Sequence, residues 1–445
     1  MAEKSEISNT DLQKELIKIY EPYFLIFPNY YQVYIELINN MIYKDNDSSF
    51  SLHYKLFYGL MASSTIGCEY LLSDFEKLFL NLGGDKSWIE EGLKCKNIPE
   101  QIRGMAIINN ILAHKPWVLD WRQFSEFKNG LYSFLFQSAI ILTSIQRFAS
   151  IISSFNILNT IINKNSEKEK NEKKDKSMQI LNTKDIKEEQ KIKEHKDNKD
   201  NESNWGVEIT KKKKKQKPTE KLVDEIQKAI ISVKKSYKKN KEKNEEEEEI
   251  QDIDDKKDII IIKDIFKKYI SEFIISYNNF NPHIEKYLLI EDFNWKKNAK
   301  YFFVDYAGKE MEYLEKELKV LENLTLETET NNDENKINIF NLRNTIEKYL
   351  CLIFGINDEE YNYHLINESL AVELKRVIKK VACYPDQIVE LEINSCLKII
   401  SKEQLVYLIF IVSSIKQKIS LTFFAKAFDD FISNNKSIKN NNIDN

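Results

Sequence analysis

The sequence predicts an all-α fold, on three observations. Glycine and proline are scarce, 10 and 7 in 445 residues, against ordinary shares of about 7% and 5%, which leaves little material for turn-dense β architectures. Apolar residues recur at three- and four-residue spacings along most of the chain, the helical period. No stretch makes a convincing strand ladder. Hydrophobic residues make up 42% of the chain, enough to fill real cores.

Taken in order, the polar residues 1–10 are expected to be disordered. Residues 11–162 alternate apolar stripes with polar faces, as in LQKELIKIYEPYFLIF, FSLHYKLFYGLMASS, CEYLLSDFEKLFLNL and LYSFLFQSAIILTSIQRF, and form a first helical domain. Within it, Gly83-Gly84-Asp85 reads as a helix stop and a new start, Asp85 capping the segment SWIEEGL by accepting backbone N–H bonds. Pro116 breaks the chain again after NNILAHK. Residues 163–257 change character: a lysine block at 211–215, a glutamate block at 245–249 and few apolar side chains cannot bury enough area to offset ordering entropy, so a charged, disordered insert is expected. The segment EKLVDEIQKAIISVKKSY is a helical island inside it. Periodicity resumes over 258–432 in DIIIIKDIFKKYISEFIISY, YFFVDYAGKEMEYLEKELKVL, NLRNTIEKYLCLIFGI and QLVYLIFIVSSIKQKISLTFFAKAFDDF, a second helical domain, and 433–445 is a polar tail expected to be disordered.

Composition excludes several function classes. With 66 basic against 70 acidic residues and a net charge of −4, no global field favours nucleic acid. The lysine block reads as a solvated charge run before it reads as a nuclear-localisation or anionic-surface patch. No apolar run approaches the ~18 residues that span a bilayer, and the start MAEKSEISNT lacks the order of a signal peptide. The five cysteines, Cys68, Cys95, Cys351, Cys383 and Cys396, form no CxxC and no Cys/His cluster, so they read as reduced thiols and the cytosol, with the nucleus, as the compartment. The five histidines show no metal spacing, and there is no phosphate-cradling glycine loop or nucleophile elbow. No metal and no cofactor is expected.

Two sets of motifs then point to a family. HYKLFYGLMASSTIGCEYLLSDFEKLFLNLGGDKSWIEEGL followed by NNILAHKPWVL carries a lone cysteine with an aromatic two residues on, GGD-x-x-W, and AH-[KR]-PW. Far along the chain EDFNW, NLT-x-x-T, LR-x-x-I, FGI-x-x-x-[DE]-Y-x-Y and VACYP follow in order. In both sets the chain resembles the sestrins, stress-induced regulators of the TOR kinase. The resemblance implies two helical subdomains of alkylhydroperoxidase-like type, packed into one globule, with the redox cysteine kept in the first.

It also implies three sites. The family's peroxide relay is a cysteine, a tyrosine two residues later and a histidine seven after the cysteine; here these are Cys68, Tyr70 and Phe75. Hydroperoxide reduction needs a thiolate and a proton carrier, and phenylalanine can neither accept nor donate a proton. Cys68 is thus expected to be a buried thiol packed with Met61, Leu71 and Leu72; Asp74, Glu76, His53 or His114 would have to substitute for the missing base. The alternative function, an alkyl hydroperoxide reductase using Cys68, requires such a substitute. His114 also reads as a residue satisfying helix-end carbonyls.

Some sestrins bind free leucine and thereby release a GATOR-type regulator of the TOR complex. Arg343 takes the carboxylate-binding position, since a guanidinium holds a carboxylate bidentately; Thr325 and Thr328 take lid positions. The ammonium-binding acid falls on Gln404, or on Glu403 with a one-residue shift. Leu397 stands for a pocket tryptophan and Ile339 for a third lid threonine. Arg343 alone reads equally as a helix-surface arginine paired with Glu347. Glu359 and Glu360, beside Tyr361 and Tyr363, take the place of an acidic pair used to contact GATOR. The expected function is a sestrin-like negative regulator of TOR signalling in the stress and amino-acid response, binding proteins through the C-terminal lobe, and the altered pocket positions leave open whether leucine or another amino acid binds. The sequence leaves oligomeric state open.

Overall fold

The computed structural model describes residues 18–43, 50–124, 127, 131–193, 293–324, 339–356 and 363–441. Among these there is no β-strand, and the fold is all-α. Apart from 258–260, the residues of both expected helical domains fall in one compact unit, 1–163 with 261–445, while 164–260 cluster as a second. Of that second unit only the helical stretch to Lys193 is described; the remainder of the charged insert, with its helical island, lies outside the described residues.

The elements follow the sequence signals closely. After a helical segment over residues 18–24, α1 (Pro28–Ile38) starts on a proline whose missing N–H costs nothing at a first turn. Helix α2 (Leu52–Ile66) is capped by Ser51 and ends at Gly67, whose φ of 78° stops it in the left-handed region. Helix α3 (Glu69–Asn81) begins two residues later. Gly83 again takes a positive φ, and Asp85 Oδ1 accepts the Ser87 N–H at 2.9 Å to start α4 (Lys86–Glu90), as the Gly-Gly-Asp pattern predicts. Helix α5 (Glu100–His114) stops before Pro116, and α6 (Tyr132–Lys193) follows.

The second half contributes α7 (Lys300–Ala307), α8 (Lys309–Glu322), α9 (Ile339–Phe354), α10 (Tyr363–Ser369), α11 (Val372–Cys383), α12 (Glu390–Cys396) and α13 (Lys402–Asn441). The last of these runs on to Asn441, into the polar tail that the sequence marks as disordered.

Helices α6 and α13 are the axes of the core. Each is long and apolar enough over residues 132–164 and 402–435 to cross a membrane, and in each the apolar window is wholly buried within the protein. Expecting no such run from the sequence was a misreading: scattered Ser, Gln, Arg and Lys interrupt the apolar letters without lowering the average enough. A helix that is apolar all round belongs at the centre of a packed bundle, and here aromatic contacts show how the two halves share it. Phe410 of α13 meets Phe24 at 5.2 Å, Tyr30 at 4.9 Å and Phe155 at 5.5 Å. Phe136 of α6 meets Phe303, Tyr306, Phe424 and Phe428 at 4.8–5.1 Å. Such pairs contribute about 0.5–1.5 kcal/mol each beyond their buried area, so each half completes part of its core against the other.

A buried ion pair ties the same elements together. The Arg147 guanidinium on α6 donates Nη1 to Glu317 Oε2 at 2.7 Å and Nη2 to Glu317 Oε1 at 2.5 Å, with side-chain exposures of 1% and 0%. Nη2 also donates to the Tyr30 hydroxyl at 2.6 Å and Nη1 to Gln417 Oε1 at 3.2 Å. Gln417 in turn donates to Ser144 Oγ at 2.9 Å. Burial works against the charge on Arg147, but Glu317, together with Tyr30 and Tyr34, outweighs it and holds the guanidinium above its usual range. Residues from α1, α6, α8 and α13 therefore meet in one hydrogen-bonded network, in which only the Arg147 Nε–H lacks a partner among the described residues.

Candidate functional site

In the N-terminal half, Gly67 decides the position of Cys68. Because the left-handed glycine ends α2, with Cys68 N–H donating to Ser63 O at 2.9 Å, the cysteine is the N-cap of α3 and not a mid-helix residue. A Cβ at Gly67 would stand 3.0 Å from Asp386 Cβ, so a larger residue would strain the turn and press on the VACYPD segment as well.

Cys68 is 3% exposed. Burial raises its thiol pKa; hydrogen bonds from the Leu71 N–H, the Ser153 hydroxyl and the Tyr70 N–H work the other way and do not overcome it. Leu71 and Leu72 on the following turn are buried, whereas Tyr70 is half exposed.

Phe75, at the relay position, is fully buried and stacks on Tyr43 with ring centroids 6.0 Å apart. Gly59 of α2 passes so close that a Cβ there would collide with the Phe75 ring. Seven residues of helix also carry Phe75 about 10 Å along the axis from the cap. The two histidines serve backbone. His53 Nε2 lies 2.9 Å from Leu82 O at the end of α3. His114 Nε2 lies 3.0 Å from Thr65 O and its Nδ1 3.4 Å from Cys383 O, so its ring bridges the ends of α2 and α11. Burial, then Lys416, push the His114 pKa down.

In the C-terminal half, Arg343 on α9 is half-buried and donates Nη1 to Leu321 O at 3.0 Å. Its guanidinium also hydrogen-bonds Tyr407, lowering a phenol pKa that burial raises. Arg343 is therefore anchored between the end of α8 and the second turn of α13. Glu347 faces Lys418 at 3.8 Å. Gln404 is spent on the helix start: its Oε1 accepts the Ser401 N–H at 2.8 Å, and its own N–H donates to Ser401 Oγ at 3.2 Å, a reciprocal capping box. Glu403 is exposed in the same turn and lies one turn before Tyr407, on the face that meets Arg343. Leu397 is partly buried against the core. Thr325, Thr328, Glu359, Glu360 and Tyr361 lie outside the described residues, as do the side chains of Ile339 and Tyr363; the chain reaches Thr325 four residues after the Leu321 carbonyl that holds Arg343.

Reading the sequence alone missed Tyr407, Arg147, Glu317, Gln417 and Lys416. The signal was a charge or an amide standing inside an apolar helical run, as in ILTSIQRFASII and FIVSSIKQKISL.

Two helical lobes closed around one core, a sealed cap cysteine in the first and an anchored arginine beside a capped helix start in the second define an all-α protein. The family model for PA26 p53-induced protein (sestrin) matches residues 2–431, and the chain belongs to the sestrin family. Sestrin-3 of Mus musculus is 22% identical over 353 residues, covering 74% of this chain and 68% of that protein. Sestrin-1 of Xenopus laevis is 21% identical over 350 residues, covering 77% and 70%. Sestrin-2 of Mus musculus is 21% identical over 372 residues, covering 81% and 73%.

Proposed function

We propose that this chain is a sestrin-like negative regulator of TOR complex signalling in the stress and amino-acid response, acting by protein binding through its C-terminal lobe on a GATOR-type complex. The observation that carries this reading is the state of Cys68: a thiol 3% exposed, with its pKa raised by burial, and a phenylalanine packed into the aromatic core where a proton carrier belongs. The first lobe then supports the second, and the work falls to contacts the second offers.

Leucine is the proposed ligand. Arg343 supplies the cation for its carboxylate, and its partners among the described residues, Leu321 O and the Tyr407 hydroxyl, are both neutral. Glu403 is the ammonium partner in preference to Gln404, whose amide the helix cap consumes. Thr325 and Thr328 begin the segment that follows α8 and close over the ligand. Ligand occupancy changes partner affinity by its differential binding to the partner-free and partner-bound protein. The proposed partner surface is Glu359 and Glu360, and the proposed compartment is the cytoplasm with the nucleus.

Affinity capture of the wild type beside Glu359→Lys/Glu360→Lys tests the partner surface: loss of the GATOR-type complex is expected, and an unchanged set of partners refutes it. Calorimetric titration of leucine against wild type, Arg343→Ala and Glu403→Gln tests the ligand. Heat in the wild type alone is expected, and none in any of the three rejects the pocket.

A further inference from the structure

Between α6, α11 and α13 lies a cavity of about 20 Å³. Every residue lining it is buried. A single water needs on the order of 10–15 Å³ on this measure, so the space takes one small occupant and excludes organic ligands.

The lining is lopsided in charge. It contains Arg147 and Lys416 and no aspartate or glutamate. Arg147 commits both terminal nitrogens to Glu317, Tyr30 and Gln417, and its Nε–H is buried without a partner. Lys416 is 8% exposed. Its ammonium donates to Leu112 O and to Ser420 Oγ, the latter at 2.8 Å, and lies 5.7 Å from the centre of the Phe354 ring. Two of three N–H bonds are thus used, both on neutral oxygens.

Glu317 cancels Arg147, while the partners of Lys416 among the described residues are all uncharged oxygens. The titratable groups that interact with it are Cys383 at the end of α11 and His114 at the end of α5, the latter also acted on by Asp386, and Arg147 shares the cavity lining. Hydroxyls on the lining are turned away: Ser150 donates to Val381 O at 2.6 Å, Ser413 to Phe410 O at 3.0 Å and Thr143 to Ala139 O at 2.8 Å. A water would accept from the orphan donors but leave a positive charge uncompensated in the core, at several kcal/mol per ion. A small monovalent anion accepts from the same donors and removes that charge.

We propose that this cavity is a halide site, occupied by chloride, in which the ion takes the Arg147 Nε–H and the Lys416 ammonium and pins α6 of the N-terminal lobe to α11 and α13 of the C-terminal lobe. Without the ion, burial lowers the Lys416 pKa to about 7. Halide uptake above that pH therefore brings a proton with it, and affinity falls as pH rises.

The test uses the full chain. Thermal unfolding in sodium chloride, bromide and gluconate at matched ionic strength, at a pH just above 7, is expected to show a higher Tm in both halides, rising with the logarithm of halide concentration, and no such difference for Lys416→Met. Crystals of the wild type soaked in bromide are expected to give an anomalous peak in the cavity, a readout that stands even where Lys416→Met fails to fold. Equal Tm values in the three salts with no bromide peak would mean a water-filled cavity and overturn the site. A peak without any gain in Tm would mean an adventitious ion only and overturn the structural role.

Discussion

Removing the Glu317 carboxylate while keeping Arg147 asks how much the interlobe network contributes. The perturbation is Glu317→Ala. Both ion-pair bonds, at 2.7 and 2.5 Å, are lost inside a site where neither side chain is more than 1% exposed, so the guanidinium is left charged and buried with only Tyr30 and Gln417 as partners. Breaking a buried pair from one side costs about 3–5 kcal/mol, and at about 2–3 °C per kcal/mol for a domain of this size the fall in Tm is on the order of 10 °C. The assay is thermal and urea unfolding of wild type, Glu317→Ala, Arg147→Met and the double variant Arg147→Met/Glu317→Leu. The double variant is expected to regain most of the loss, because apolar side chains of similar volume replace the pair without stranding a charge. Since the pair joins two lobes around one core, each protein should unfold in a single transition. Glu317→Ala within 1 kcal/mol of wild type, or a double variant whose loss is the sum of the singles, would refute the reasoning.

Three further outcomes are expected. Gly59→Ala should destabilise by about 1–3 kcal/mol or more, measured by urea unfolding, because its methyl collides with the buried Phe75 ring. Phe75→His should not create a peroxidase: the imidazole enters an aromatic stack beside Tyr43, and the expected result is a lower Tm with unchanged, near-background peroxide consumption. In halide-free buffer, stability should rise with pH between about 7 and 10.5. Lys416 is held near 7 when folded against an ordinary 10.5, so the unfolded chain binds more protons across that interval; the penalty is full below 7, vanishes above 10.5, and is bounded by about 5 kcal/mol. Lys416→Met should flatten this slope in unfolding measured across the range.

The helical architecture was legible because apolar spacing, glycine stops and the Asp85 cap are local signals, and each reappears as an element boundary. The sequence motifs were enough to reach the sestrin family. Position within the helices was harder. The spacing of Cys68 and Phe75 says nothing of where their helix begins: Gly67 ends α2 and makes the cysteine a cap; the glycine was visible, but only its φ shows that the chain turns there. The interlobe network was invisible for a different reason. Arg147 and Glu317 are 170 residues apart, and nothing in the spacing of either predicts that they meet. Gln404 shows the same limit in reverse: an ungapped alignment places it at a ligand position, while its side chain is occupied by the N–H of Ser401, three residues back.

The claim on which the rest stands is that the only cysteine in the relay position is structural and that regulation is carried by binding. Side-by-side consumption of an organic hydroperoxide by purified wild type and Cys68→Ser, with a reductant supplied for turnover, tests it most directly. The account predicts equal rates, both near background. Sustained turnover by the wild type that disappears in Cys68→Ser would contradict it.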